Sequence, residues 1–378
     1  MKSILSGALL VAALHSSVTA TQSPQVPDTV ERLITAALRD RALAGAVLGI
    51  ARDGKIQLIK GYGLADIENR VPMTDSSVLR VGSVTKQFTA AAILRLVDQG
   101  KLSVDDPLSK YVPDFPRAGE VNLRHLLSHT SGIASYTNPR YAAKARDAAR
   151  RDFTLPQLIQ FIVTLDPLYE FEPGTAWFYS NSAYILLGHI IEKVSGKSYR
   201  EFLQSEFFGP LGLAHTAVDQ MGEVVPDRAH GYTPSKSSPS GFVNPMFMSL
   251  TVAGPAGAVR STARDMLNWQ LALFGGRVLS PASLTLMMTP TLLNDGRPTS
   301  KGRMPPIWGS PTAEYGFGLF IDRLDGRRTV GHGGAIPGFN TWMETFPDEG
   351  LSIVILSNTD YPAAEDLGPK VARALKAF

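Results

Sequence analysis

Strand-like segments sit at the two ends of this 378-residue chain, and a long helical stretch separates them. Near the N-terminus, the apolar runs Ala46–Ile50 and Ile56–Lys60 flank Asp53-Gly54, a strong hairpin signal. Near the C-terminus, Tyr315–Ile321, Thr329–Gly331, Thr341–Phe346 and Leu351–Leu356 read as strands, with turns at Asp325-Gly326 and Asp348-Glu349-Gly350. Helical periodicity marks Val30–Arg39, Val84–Gln99 (stopped by Gly100), the short Asn122–Ser128, Ser182–Val194, Val259–Phe274 behind the cap candidates Ser261-Thr262, and Asp366–Ala377. Strands so far apart in sequence must meet to bury their apolar faces. The economical assembly is an α+β (α/β sandwich) fold: one antiparallel sheet from N- and C-terminal strands, flanked by the terminal helices, with an all-helical lobe of about residues 100–255 inserted. A groove between sheet and lobe is the natural place for a site. Tyr232–Pro245 and Asn294–Ser310 read as surface loops.

Composition narrows the chemistry. The chain has no cysteine, which excludes disulfides, thiolate metal sites and a thiol nucleophile. A net charge of +3 with 19% charged residues is not the profile of a nucleic-acid coat. Residues 1–20 have the layout of a signal peptide: Lys2, the apolar run Ile4–Leu14, and Val18-Thr19-Ala20 before a polar stretch. Export is therefore expected, periplasmic or secreted, with cleavage near Ala20 leaving residues 21–378 as one domain. No later stretch is apolar for long enough to suggest a membrane span.

Ser83-Val84-Thr85-Lys86 is the only S-x-x-K in the chain and opens the Val84–Gln99 helix. The i,i+3 spacing puts hydroxyl and amine on one face. A serine hydroxyl needs a base, and a desolvated neutral lysine, alone or with a phenolate, can serve. Tyr179-Ser180-Asn181 lies at a loop-to-helix corner. Tyr179 reads either as an aromatic plug or as a base whose pKa a nearby lysine cation lowers, and Asn181 can position a carbonyl or the lysine. A second Tyr-x-Asn, Tyr136-Thr137-Asn138, precedes Pro139 and reads as a loop. Gly331-His332-Gly333-Gly334-Ala335 puts three glycines into strand-rich sequence. It reads either as a glycine hairpin with a surface histidine or as a strand edge that admits substrate, with His332 a donor or switchable charge.

Taken in order, Ser83-x-x-Lys86, Tyr179-x-Asn181 and His332-x-Gly334 resemble the serine β-lactamase/penicillin-binding-protein superfamily. The closest likeness is to its class C β-lactamase-like branch, which also holds D,D-peptidases, D-aminopeptidases and esterases. Leu123–Ile133, Phe171-Glu172-Pro173-Gly174, Pro210-Leu211-Gly212-Leu213, Val259–Ala263 and Gly331–Phe339 share the likeness, which spans about Thr29–Asn358. The resemblance implies a β-lactamase/transpeptidase-like fold and an acyl-enzyme on Ser83. Lys86 and Tyr179 would share base work, Tyr179 would reprotonate the leaving group, and Asn181 would hold substrate. Backbone N–H groups of Ser83 and Ala335 would form the oxyanion hole, with His332, Gly333 and Gly334 beside it, and no metal or organic cofactor is implied. The expected partner is a small-molecule or peptide substrate, cell-wall peptide among the candidates.

One departure shifts the expected substrate. β-Lactamases of this type carry Lys-Thr-Gly at the third motif, whereas this chain has His332-Gly333-Gly334 and no K-x-G anywhere. Without a permanent cation to grip a carboxylate, a D-amino-acid peptide or small ester is expected ahead of a β-lactam. A true class C-type β-lactamase and a catalytically silent module that binds cell-wall peptide remain the alternatives. His125 and His129 have a helical metal-ligand spacing but no acidic partner, and read as packing or helix-end residues. The cluster Arg140, Lys144, Arg146, Arg150 and Arg151 reads as a solvated face. Trp177, Phe178, Tyr136 and Trp342 divide equally between cleft lining and core.

Overall fold

The computed structural model describes residues 26–302 and 312–377. The expected signal peptide lies outside the described residues. Among these residues the main sheet has nine strands. Its order is Val71–Pro72, Lys55–Asp66, Gly45–Arg52, Leu351–Ser357, Phe339–Phe346, Arg327–Gly331, Phe320–Leu324 and Glu314–Tyr315, with Gly334–Ile336 pairing beside Phe339–Phe346. All pairings are antiparallel, and the two termini meet in the sheet's centre, where Ala46–Arg52 pairs with Leu351–Ser357. The hairpin forms as its sequence requires: Arg52 faces Lys55, and both turn residues have positive φ, Asp53 at 49° and Gly54 at 77°.

The central strands are apolar on both faces because both faces are covered. Val47 and Ala51 pack into the larger core, which holds the Ala263–Phe274 and Thr85–Asp98 helices. Ala46, Leu48 and Ile50 face the smaller core, formed with the Asp28–Arg39 and Ala363–Ala374 helices. This alternation over one continuous apolar run is the period of a strand buried twice.

The inserted lobe is less purely helical than expected. Val259–Ser261, read as the start of a helix, is a strand between Leu79–Arg80 and Ala217–Val218, and the helix begins at Ala263 with Thr262 as its N-cap. β-Branched Val259 and the paired neighbours outweigh local helical periodicity there. A two-stranded ribbon, Thr233–Pro234 with Phe242–Val243, also lies in the segment read as a loop. Tyr315–Ile321 divides into two strands around a turn at Gly318, φ 70°.

Thr85–Asp98 is buried along nearly its whole length, so it runs through the interior instead of lying on the surface. It packs against the Asn181–Ser195 helix and the kinked Leu250–Gly257 segment. At the crossing of the last two, a Cβ on Gly188 would stand 2.0 Å from Pro255 Cγ. Gly188→Ala is therefore expected to destabilise the protein by about 1–3 kcal/mol through overpacking. Urea unfolding measures it, and an unchanged midpoint would show that this crossing has slack.

Candidate active site

Ser83 sits in a single 3-10 turn, Gly82–Val84, that leads into the Thr85–Asp98 helix. The turn is wedged against the Gly334–Ile336 strand. Gly82 has φ 52°, and a Cβ on it would lie 2.7 Å from the Ala335 nitrogen. A Cβ on Gly334 would lie 2.0 Å from the Val81 carbonyl oxygen and 3.0 Å from the Ser83 nitrogen. Glycine at both positions is what lets the two backbones approach.

Lys86 is fully buried one turn below Ser83. Its Nζ lies 2.7 Å from Asn181 Oδ1, 2.7 Å from the Ala256 carbonyl oxygen and 3.2 Å from Ser83 Oγ. Among the described residues no carboxylate pairs with it. Burial without a counter-ion holds its pKa well below the ordinary 10.5. A neutral amine has two N–H groups and one lone pair. As an ammonium Lys86 donates to all three oxygens; in its neutral form, with Asn181 and Ala256 taking the two N–H bonds, its lone pair would meet the Ser83 hydroxyl.

Tyr179 and Asn181 flank Ser180, whose Oγ caps the Asn181–Ser195 helix by accepting from the Ala183 amide. Asn181 is held from three sides: its amide donates to Ser135 Oγ, its Nδ2 to Thr137 Oγ1, and its Oδ1 accepts from Lys86. The Tyr179 ring lies 4.7 Å from Lys86 Nζ and 4.3 Å from the His129 ring. Its hydroxyl is buried and faces the Ser83 hydroxyl, outside ordinary hydrogen-bond geometry. Burial raises its pKa well above 10.0, and the Ser83 hydroxyl pulls the other way. The phenol therefore stays protonated at neutral pH, against the reading of Tyr179 as a base with a lowered pKa.

His332 takes a different place from the one its sequence setting suggested. It is 1% exposed. Nδ1 lies 2.5 Å from the Gly333 carbonyl oxygen and Nε2 lies 3.0 Å from the Tyr315 hydroxyl. A carbonyl only accepts, so Nδ1 carries the proton and Nε2 accepts from Tyr315. Burial, with Lys86 nearby, pushes its pKa down to about 3. His332 is thus neutral at pH 7, with both nitrogens engaged, and the surface-histidine and switchable-charge readings both fall. Gly333 is where Glu365 closes in, with a Cβ there lying 1.9 Å from Glu365 Oε1.

Ser83, Tyr179, Asn181 and Ala335 line one cavity of about 480 Å³. Lys86, His332, Gly333 and Gly334 are not part of its lining; Lys86 meets it only through its hydrogen bonds to Ser83 and Asn181. The remaining lining is mostly apolar, including Phe178, Met246, Val252 and Ala253. Tyr136, Thr137 and Asn138, read as a plain loop, also face this cavity. Trp177 instead packs on Tyr315 and Phe320, and Trp342 lies against Gly368 in the smaller core. His125 closes a capping box with Asn122, and His129 is buried, accepting from the Ser180 amide. In the basic cluster, Arg140 pairs with Glu170 and Lys144 bonds the Thr164 carbonyl, while Arg146 reaches the cavity lining. Tyr315 and the Ala256 carbonyl gave no sequence signal: one is a lone aromatic, the other a backbone atom placed only by the fold.

The Beta-lactamase family profile matches residues 30–378. Penicillin-binding protein 4* of Bacillus subtilis is 30% identical over 331 residues, covering 84% of this chain and 68% of that protein. The D-aminopeptidase of Gluconobacter oxydans is 28% identical, over 83% of this chain and 55% of its own length. Among solved structures, the D-amino acid amidase of Ochrobactrum anthropi bound to D-phenylalanine superposes with a TM-score of 0.80 at 27% identity, covering 93% of this chain and 98% of that one. A D-stereospecific amidohydrolase from Streptomyces superposes at 0.77 with 29% identity, over 94% and 100% of the two chains.

Proposed function

The chain belongs to the Beta-lactamase family of serine hydrolases, and from that premise we propose that it cleaves amide or ester bonds of small D-configured substrates through an acyl-enzyme on Ser83. The observation that carries this reading is the Lys86 amine, fully buried and 3.2 Å from Ser83 Oγ, with burial holding its pKa well below 10.5. In the proposed sequence Ser83 Oγ attacks the carbonyl carbon and its proton passes to Lys86 Nζ. Tyr179 protonates the leaving nitrogen or oxygen as the bond breaks, and the proton on Lys86 returns to the Tyr179 oxygen. Water then repeats the steps in reverse order of roles and frees Ser83. The amides of Ser83 and Ala335 face the developing oxyanion, the kind of contact whose loss typically costs 10²–10³-fold in rate. Similarity to D-aminopeptidase and D-amino acid amidase supports the D preference.

The cavity also argues against an efficient β-lactamase. The third motif offers a neutral, buried histidine where a carboxylate-binding lysine would be needed. The test is a panel of D-amino-acid amides, D-Ala-D-Ala peptides, short nitrophenyl esters and penicillins on wild type and Ser83→Ala. Turnover of D-amides or esters is expected, lost in Ser83→Ala, with a fluorophosphonate adduct mapping to Ser83 by mass spectrometry. Rapid penicillin turnover would favour the β-lactamase. The absence of any adduct with either reagent would leave the silent binding module.

Export is the further part of this reading, and it rests on residues 1–20. No helix among the described residues is long and apolar enough to cross a membrane. N-terminal sequencing of protein recovered outside the cytoplasm should start near Thr21. An intact Met1 on all recovered protein would refute processing.

A further inference from the structure

Three residues before Ser83, Arg80 enters a cluster whose charges do not balance. Asp219, with a fully buried carboxylate, receives Arg80 Nε at 3.0 Å, Arg228 through both terminal nitrogens at 2.7 and 3.0 Å, and Arg260 Nη1 at 3.1 Å. Glu223 receives Arg260 through two nitrogens, at 2.9 and 3.0 Å, and Arg200 at 3.2 Å. Four guanidinium groups therefore share two carboxylates. Arg200 is 37% exposed and solvated, but the Arg260 side chain is 10% exposed and those of Arg80 and Arg228 are 20% and 25% exposed, so three sheltered guanidinium groups still face two carboxylates. The Nε atoms of Arg228 and Arg260 are buried with no hydrogen-bond partner. Excess positive charge held this far from solvent calls for an anion.

Space for one is present. Arg80, Arg228 and Arg260 line a cavity of about 250 Å³ together with the Asp219 they share, His230, Asn244 and Pro245. A shallow trough joins it to the Ser83 cavity: the trough shares Arg80 and Pro245 with the arginine cavity, and Met246, Ile336 and Pro337 with the catalytic one. Arg80 also stacks over Phe339, next to the strand that carries Ala335. The catalytic cavity itself has no cation at the third motif.

We propose that the Arg80–Arg228–Arg260 cavity is a carboxylate subsite, which holds a distal carboxylate of an extended substrate whose scissile bond lies at Ser83. The Arg228 and Arg260 forks are held by Asp219 and Glu223, so Arg80, whose terminal nitrogens meet no carboxylate, would make the direct contact in their positive field, and the Met246–Ile336–Pro337 trough suits an apolar connecting segment. The substrate part of this inference rests on the proposed function, so its test measures binding and not turnover.

The test uses Ser83→Ala protein and calorimetry at fixed ionic strength. Its ligands are N-glutaryl-D-alanyl-D-alanine amide, the analogue with a carboxamide in place of the glutaryl carboxylate, and inorganic phosphate. The carboxylate ligand is expected to bind about tenfold more tightly than its carboxamide twin, the size of one charge-assisted hydrogen bond. Adding Arg228→Gln, or Asn244→Asp, which leaves the ion network untouched and adds a negative charge to the cavity wall, should abolish that difference. Equal affinities in the Ser83→Ala parent overturn the proposal, as does a difference that survives Asn244→Asp. Phosphate binding without discrimination between the two peptides overturns it in favour of a free-anion site. Failure of the acyl-enzyme reading would show instead in the adduct and turnover assays, which this measurement does not use.

Discussion

Lys86→Met is expected to lower kcat/KM by about 10²–10⁴-fold, the usual contribution of a positioned general base. The side chain is buried with two of its hydrogen bonds going to Asn181 and Ala256. Methionine fills similar volume but has no lone pair of comparable basicity for the Ser83 proton. Lys86→Arg should not rescue, because a guanidinium stays charged. The acidic limb of the wild-type pH–rate profile should report protonation of Lys86 in the free enzyme and vanish in the methionine variant. Stability should move the opposite way. Burial depresses the folded-state pKa below the unfolded value, so the unfolded chain binds more protons. Wild-type stability therefore climbs as pH rises toward the unfolded lysine's ordinary 10.5, and the variant should lose that slope and gain stability at neutral pH. A variant with near wild-type turnover would remove Lys86 from the chemistry, and an unchanged stability slope would mean the lysine is charged when folded.

Gly334→Ala is expected to cost activity out of proportion to its size. The added carbon would lie 2.0 Å from the Val81 carbonyl oxygen, a backbone atom that no rotamer change can move aside. Relief requires the Gly334–Ile336 strand and the Ser83 turn to separate. That separation pulls the Ala335 and Ser83 amides apart, and loss of one oxyanion donor typically costs about 10²–10³ in kcat. KM should change less, because most of the cavity lining stays in place. Steady-state kinetics on a D-amino-acid amide would decide it. Wild-type kcat in a folded variant would show that the close approach has no catalytic role.

Much of the site was legible because its side chains are spaced by local geometry. Ser83 and Lys86 are one helical turn apart, and Tyr179 and Asn181 flank a helix cap, so short motifs could name them together. The sheet was legible through the Asp53-Gly54 hairpin and the period-two runs at both ends. His332 was harder to read. Its glycine neighbours suggested an open edge, but Tyr315 and the Gly333 carbonyl occupy both ring nitrogens. Val259–Ser261 was misread for a related reason: its helical pattern is local, whereas its strand partners are about 40 and 180 residues away, an interval sequence periodicity does not register.

The sequence by itself determined the α+β assembly through strand and helix patterning, and pointed to the candidate nucleophile, its lysine and the missing third-motif cation through the resemblance its short motifs carry. Only the tertiary structure decided how the site titrates: the Lys86 amine held well below its ordinary pKa, Tyr179 held well above its own, and His332 neutral at pH 7. Those states depend on desolvation and on partners such as the Ala256 carbonyl and Tyr315, brought from remote parts of the chain. The arginine surplus beside Asp219 emerged the same way, since residues 80, 200, 228 and 260 become neighbours only when the chain is folded.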